Sequence, residues 1–181
     1  MVQAAAGGVG LYLLQLAKHF SIEQVIAIAS SGEKIRMLKR LGADVAINYT
    51  DSDWAAKVKA VTNNRGVDVV LQMSSGAIGE QSFELPAPGG RIVLFGAQNY
   101  NDTISTSKVR QLIWQNQTLM GFAFPALPAS RTAESVPELM SLVENGTIKT
   151  FAEQRFSLSE APIALETLAS RKTIGKVVLV P

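Results

Sequence analysis

Apolar residues along this chain fall alternately into short continuous runs and into runs spaced by three and four. The continuous runs lie at 24–30, 45–47, 67–73, 91–96 and 119–124. Their length and their share of β-branched and aromatic side chains predict strands buried in a sheet. Helical spacing fills the gaps, from the glycines near the start to Phe20, then over 32–41, 53–62, 107–116 and 135–145. Gly42 and Gly146 stand just past two of these helices, where a left-handed residue ends a helix. Strand and helix alternate almost without interruption. That order predicts an α/β fold, a Rossmann-type doubly wound parallel six-stranded sheet with helices on both faces.

Both ends look incomplete for such a sheet. Only about three residues precede the glycine loop, fewer than the five or six of a usual strand. After the helix at 135–145 come an extended piece (151–156), a helix (159–171) and a strand (176–180), more than a six-stranded sheet needs. The expected organisation is a nucleotide-binding domain over 1–150, its first strand truncated, and a C-terminal tail over 151–181. The chain reads as part of a larger protein whose tail returns to a missing domain.

The glycine stretch Ala5-Ala6-Gly7-Gly8-Val9-Gly10 sits between an apolar stub and a helix. In that context a glycine loop binds a dinucleotide pyrophosphate. Gly7 admits the phosphates close to the backbone, Gly10 lets helix pack on strand, and the N–H groups at Gly8 and Val9 face the anion. Ala5 replaces the first glycine of the usual pattern, and an ordinary tight β–α turn is the competing reading.

Serines follow the second strand. An NAD site usually carries a carboxylate there, about 20 residues past the loop, to hold the ribose 2′-hydroxyl. Ser30 can donate to a 2′-phosphate, Lys34 supplies charge one helical step on, and Tyr49 can stack on adenine or donate its hydroxyl. These favour NADPH. The same residues have plainer readings: a capping box from Ser30 to Glu33, Glu33 as a ribose ligand for NAD, a solvated Lys34, and a packed Tyr49. The reactive end of the cofactor is expected at three strand ends, at Met73–Gly76, Phe95-Gly96-Ala97 and Phe122–Phe124. Gly76 and Gly96 permit backbone approach there. Phe122 and Phe124 would cover one ring face, or else pack in a core or interface.

Composition narrows the class. Of 181 residues, 47% are hydrophobic and 18% charged, with a net charge of +2. The basic residues are scattered, so no nucleic-acid stripe is expected. No cysteine is present, and one histidine, His19, is too little for a zinc site without several carboxylates. No apolar run approaches the roughly 18 residues of a membrane span, and no secretory leader pattern is seen; a cytoplasmic location is expected. Tyr-x-x-x-Lys, G-x-S-x-G, a phosphate-binding G-x-x-x-x-G-K-[ST] loop and H-E-x-x-H are all missing. A methyltransferase-like site would call for a tighter glycine pattern and an acidic residue.

QAAAGGVG (3–10), LGADVAINY (41–49), GVDVVLQM (66–73), PGGRIVLFG (88–96) and SRKTIGKVVLVP (170–181) together resemble the cofactor domain of a medium-chain dehydrogenase/reductase. The resemblance is to the zinc-free quinone oxidoreductase branch, which includes enoyl reductases, and it covers nearly the whole chain. It implies an N-terminal barrel-like domain of roughly 120–150 residues on which the tail folds. It implies a 2′-phosphate site lined by the serine, lysine and tyrosine above and reached by Arg171, or else Arg171 is a surface charge at a helix end. It also implies a homodimer that joins strand 119–124 to its copy. The implied chemistry is hydride transfer from NADPH to a quinone or to the β-carbon of an α,β-unsaturated carbonyl. Catalytic residues are expected in the missing domain, and none is assigned here. Departures from the family are Gln72, where an acidic residue is common, and Met73-Ser74-Ser75-Gly76, which is less glycine-rich. A stand-alone NADP-binding or sensory module is the alternative to a reductase half.

Overall fold

The small side chains of one strand show how the sheet is built. β1 (Ile26–Ala29) follows α1 (Gly8–His19), and all four of its residues are buried. Alternate side chains of a strand point to opposite faces. Ala27 and Ala29 enter one core cluster with Ala5, Leu11, Leu14 and Leu38, while Ile26 and Ile28 enter another with Trp54, Val70, Phe83 and Ile92. Alanines thus lie under α1 and α2 (Gly32–Arg40), and isoleucines fill the opposite layer. These helices and faces belong to a computed structural model describing residues 1–96, 104–152 and 154–181.

The remaining elements are β2 (Val45–Asn48), α3 (Trp54–Val61), β3 (Val67–Gln72), α4 (Gly76–Ser82), β4 (Pro86–Leu94), α5 (Thr106–Trp114), β5 (Thr118–Gly121), α6 (Ala129–Glu144), β6 (Gln154–Ser157), α7 (Ala161–Ala169) and β7 (Val177–Val180). Every pairing is parallel: β1 with β2, β3 with β4, β4 with β5, and β6 with β7. The N-terminal stub joins the first two groups. Val2 bridges Ala27 on one side and Leu71 on the other. Its N–H donates to Ile26 O at 2.8 Å, and its C=O accepts from Ile28 N at 3.0 Å. The order is therefore β2, β1, stub, β3, β4, β5. The expected doubly wound parallel sheet is present, with five strands and a single-residue bridge in place of six full strands.

Several boundaries differ from the sequence reading. α4 was not foreseen, because GAIGEQS carries two glycines and few apolar residues. β4 begins at Pro86, and its register with β3 shifts between Val67 and Val69. α6 starts at Ala129, six residues early, with Pro137 inside it. β5 ends at Gly121, and Phe124 opens a 3-10 turn to Ala126, so Phe124 lies outside the strand. The following Pro125 has no N–H for a ladder.

Candidate functional site

The glycine loop closes as a tight turn. Ala4 adopts φ +45°, and Gly7 N–H donates to Ala4 O at 2.8 Å. α1 begins at Gly8 with no capping side chain and no acid in its first turn. The first N–H groups of a helix lack partners within it and carry its positive dipole end. Gly10 is the packing glycine. A Cβ there would lie 2.5 Å from Ala5 Cα and 2.6 Å from Ala5 O, so no side chain fits. Gly7 is less constrained, with one backbone oxygen 3.1 Å from the Cβ position. Val9 is exposed.

The tail returns to this loop. Gly175 forms a parallel bridge with Gly7, and its N–H donates to Ala6 O at 2.9 Å. The next residue, Lys176, lies across Gly8: a Cβ on Gly8 would stand 2.8 Å from Lys176 Cε and 3.3 Å from Nζ. Its ammonium thereby lies close to the start of α1. Sequence reasoning missed Lys176, because it lies 168 positions from the glycine it covers; the signal was a lysine just before the last strand.

At the carboxyl ends of β1 and β2, Ala29 stands opposite Asn48, and Tyr49 N–H donates to Ala29 O at 3.0 Å. Ser30 and Tyr49 thus leave neighbouring strands side by side, both half-buried. The cap of α2 is Ser31, whose Oγ accepts from Lys34 N at 3.3 Å. This corrects the expected box between Ser30 and Glu33 by one residue, and it leaves the Ser30 side chain outside the cap. Glu33 lines a cleft of about 470 Å³ with Met37 and Arg40, one and two turns along α2, and with Lys172 and Ile174 of the tail.

Lys34 and Arg171 meet. Lys34 Nζ donates to Arg171 O at 2.6 Å, and Arg171 leaves α7 at φ +56°. Burial pulls the Lys34 ammonium below its ordinary pKa, and the neighbouring Glu33 carboxylate acts the other way. An ammonium has three donors, so one bond to a carbonyl leaves two for an anion. Ser30, Lys34, Tyr49 and the tail at Arg171 are all drawn to this end of the sheet.

The residues expected at the reactive end form a second group. Phe95 N–H donates to Gln72 O at 3.0 Å, and Phe122 N–H to Leu94 O at 2.8 Å, so both extend the ladder past the strands. A Cβ on Gly96 would lie 3.6 Å from Met73 Cβ, which sets those two turns against each other. Gly76 opens α4 at φ +65°. Phe122 and Phe124 are 47% and 56% exposed, which rules out core packing within this chain. Ala97 lies outside the described residues. Gln72 is buried, and its Oε1 has no hydrogen-bond partner among the described residues.

Residues 8–145 match the family described as zinc-binding dehydrogenase. The chain belongs to this family. It is 34% identical to a quinone oxidoreductase of Pseudomonas aeruginosa, over 100% of this chain and 56% of that protein. It is 29% identical to a 2-haloacrylate reductase of a Burkholderia species, over 100% of this chain and 55% of that one. Among solved structures, Escherichia coli quinone oxidoreductase complexed with NADPH matches with a TM-score of 0.88 and 27% identity, over 99% of this chain and 56% of that chain. The chain thus spans about half the length of these relatives. Among the described residues, no group of three His, Cys, Asp or Glu could hold a metal ion. Among the described residues, no helix is long and apolar enough to cross a membrane.

Proposed function

We propose that this chain is the NADPH-binding half of a reductase that delivers hydride to a quinone or an α,β-unsaturated carbonyl. The observation that carries the reading is the pairing of two cations with two separate anion positions. Lys176 lies over the start of α1, where a pyrophosphate would meet free N–H groups. Lys34 Nζ is tied to Arg171 O at the helix that follows Ser30, and a 2′-phosphate between it, Ser30 and Tyr49 would meet its remaining donors. Glu33 faces the tail cleft instead, which argues against its use as a ribose ligand. The names of the quinone oxidoreductase and 2-haloacrylate reductase relatives support the substrate class.

Bound NADPH would supply the hydride. The residues of this chain bind and orient it: Gly7, Gly8, Val9 and Gly10 at the pyrophosphate, and Ser30, Lys34, Tyr49 and Arg171 at the adenosine end. At the nicotinamide end Gly76, Phe95, Gly96, Phe122 and Phe124 shape the surface, with Ala97 beside them in sequence. Substrate contacts and proton delivery belong to a further domain, which the exposed outer side chains of the tail, Ile163, Leu165 and Leu168, are suited to meet. We also infer a homodimer. β5 pairs with β4 on one edge, and among the described residues no strand pairs with the other. A free edge is a template for a second copy.

Titration with NADPH and NADH tests the cofactor assignment. The unaltered chain is expected to favour NADPH. Lys34→Ala should weaken NADPH by about 1–2 kcal/mol, the scale of a charge-assisted hydrogen bond, and leave NADH unchanged. Lys176→Ala should weaken both cofactors equally, since both carry the pyrophosphate. Equal loss on Lys34→Ala would remove the 2′-phosphate assignment.

A further inference from the structure

Gln3 is wholly buried, at 0% exposure, in the stub that precedes the glycine loop. Its amide is used at both ends. Oε1 accepts the N–H groups of Met73, at 3.2 Å, and Ser74, at 2.9 Å. Nε2 donates to Ser82 Oγ at 2.5 Å. Two backbone donors at one end require an oxygen there, so the amide has one permitted orientation. Its own N–H donates to Leu71 O at 3.0 Å.

These bonds join parts of the chain about seventy residues apart. Met73 and Ser74 form the turn from β3 into α4, and Ser82 is the last residue of α4. Gln3 therefore fastens the entry and the exit of that segment to the residue before Ala4, where the glycine loop begins. Met73 in turn stands against Gly96. A continuous path of packed and hydrogen-bonded groups runs from the pyrophosphate loop through Gln3 to the two turns at the opposite end of the cofactor site. An apolar core residue at position 3 would fill the space but would take the acceptor from two part-buried N–H groups.

We propose that Gln3 is a positioning residue: it fixes the β3–α4 turn in register with the glycine loop, so that the nicotinamide half of the cofactor meets a preformed surface. This rests on the cofactor reading above. It makes a demand that general stabilisation does not: the two halves of the cofactor should respond differently to loss of the amide.

The test compares NADPH with 2′,5′-ADP, which carries the adenosine and the 2′-phosphate but no nicotinamide. Dissociation constants are measured for the unaltered chain, Gln3→Met and Ser82→Ala, at a temperature where thermal melts show each folded. Gln3→Met should weaken NADPH tenfold or more and change 2′,5′-ADP less than twofold. The emission change of the reduced nicotinamide on binding should diminish with it. Ser82→Ala frees one end of the amide and should give a smaller loss in the same direction; it decides the matter if Gln3→Met does not fold. Equal weakening of both ligands, or unchanged NADPH binding in the folded variants, overturns the positioning role. Failure of the unaltered chain to bind 2′,5′-ADP overturns the cofactor reading itself, and this inference with it.

Discussion

α1 and α5 carry the same kind of apolar spacing and end in opposite situations. α1 buries Gly10, Leu11 and Leu14 between the sheet and the returning tail. α5 buries no residue. Its sheet-facing side is made by Leu112, which packs on the core, by Gln111, whose Nε2 donates to Phe83 O at 2.8 Å, and by Lys108, which pairs with Glu80 and lies over the Phe83 ring. Val109, Ile113 and Trp114 are left outside, the last two at 67% and 80% exposure. Periodicity thus reports that a helix has an apolar side. It does not report what covers that side. In α1 the cover belongs to this chain, and in α5 no described residue supplies one.

The comparison breaks first at its covered end. Leu14→Ala removes a side chain with no exposed area from a cluster that includes Leu11 and Ala27. Loss of such a group costs about 2–5 kcal/mol through transfer and cavity terms. Gly10→Val forces a Cβ into the Ala5 backbone and should cost about 3 kcal/mol or more. Urea melts of both variants are expected to shift strongly. A loss under about 1 kcal/mol for Leu14→Ala would mean that α1 is held no better than α5.

A second prediction concerns the seam between these regions. The Met1 ammonium donates to Val69 O at 2.6 Å in the middle of the sheet. Burial lowers its pKa from 8.0 to about 6, and Asp68 opposes the shift. Below about pH 6 the amine is charged in both folded and unfolded chains, and the folded chain carries the full cost of burying it. Above about pH 8 it is neutral in both, and the cost is gone. Between these values the unfolded chain binds more protons, so stability rises with pH. Two units correspond to roughly 2–3 kcal/mol. Urea midpoints of the 181-residue chain from pH 5.5 to 8.5 should show the rise, and acetylation of the amine should flatten it.

Much of this architecture was legible in residue patterns. Alternation of apolar runs with helical spacing is a local signal, and it placed β1, β2, β3 and the helices between them within one to three residues. The glycine loop was legible because a close approach admits only glycine, as Gly10 shows. What the sequence concealed is non-local. Nothing near Lys176 indicates Gly8, and only the family resemblance put Arg171 beside Lys34, because the tail's return path is decided by packing. Ser31 took the cap expected of Ser30, since both serines suit it and backbone geometry chose. α4 escaped notice because a short helix rich in glycine is made by its anchors, Gln3 among them, and not by propensity.

The smallest effect is expected at the uncovered end, and there it is most diagnostic. Trp114→Ala removes the largest exposed apolar side chain of α5. Within one chain it touches little, so the urea midpoint should move by less than about 0.5 kcal/mol at low concentration, as for surface substitutions generally. If a second copy covers this stripe, the variant should dissociate at concentrations where the unaltered chain sediments as a dimer. Exposed apolar stripes of this kind are characteristic of partner surfaces. Sedimentation and melts run over the same concentration series separate the outcomes. A loss above 1 kcal/mol that does not depend on concentration would show that this chain covers α5 itself, and the contrast with α1 would fail.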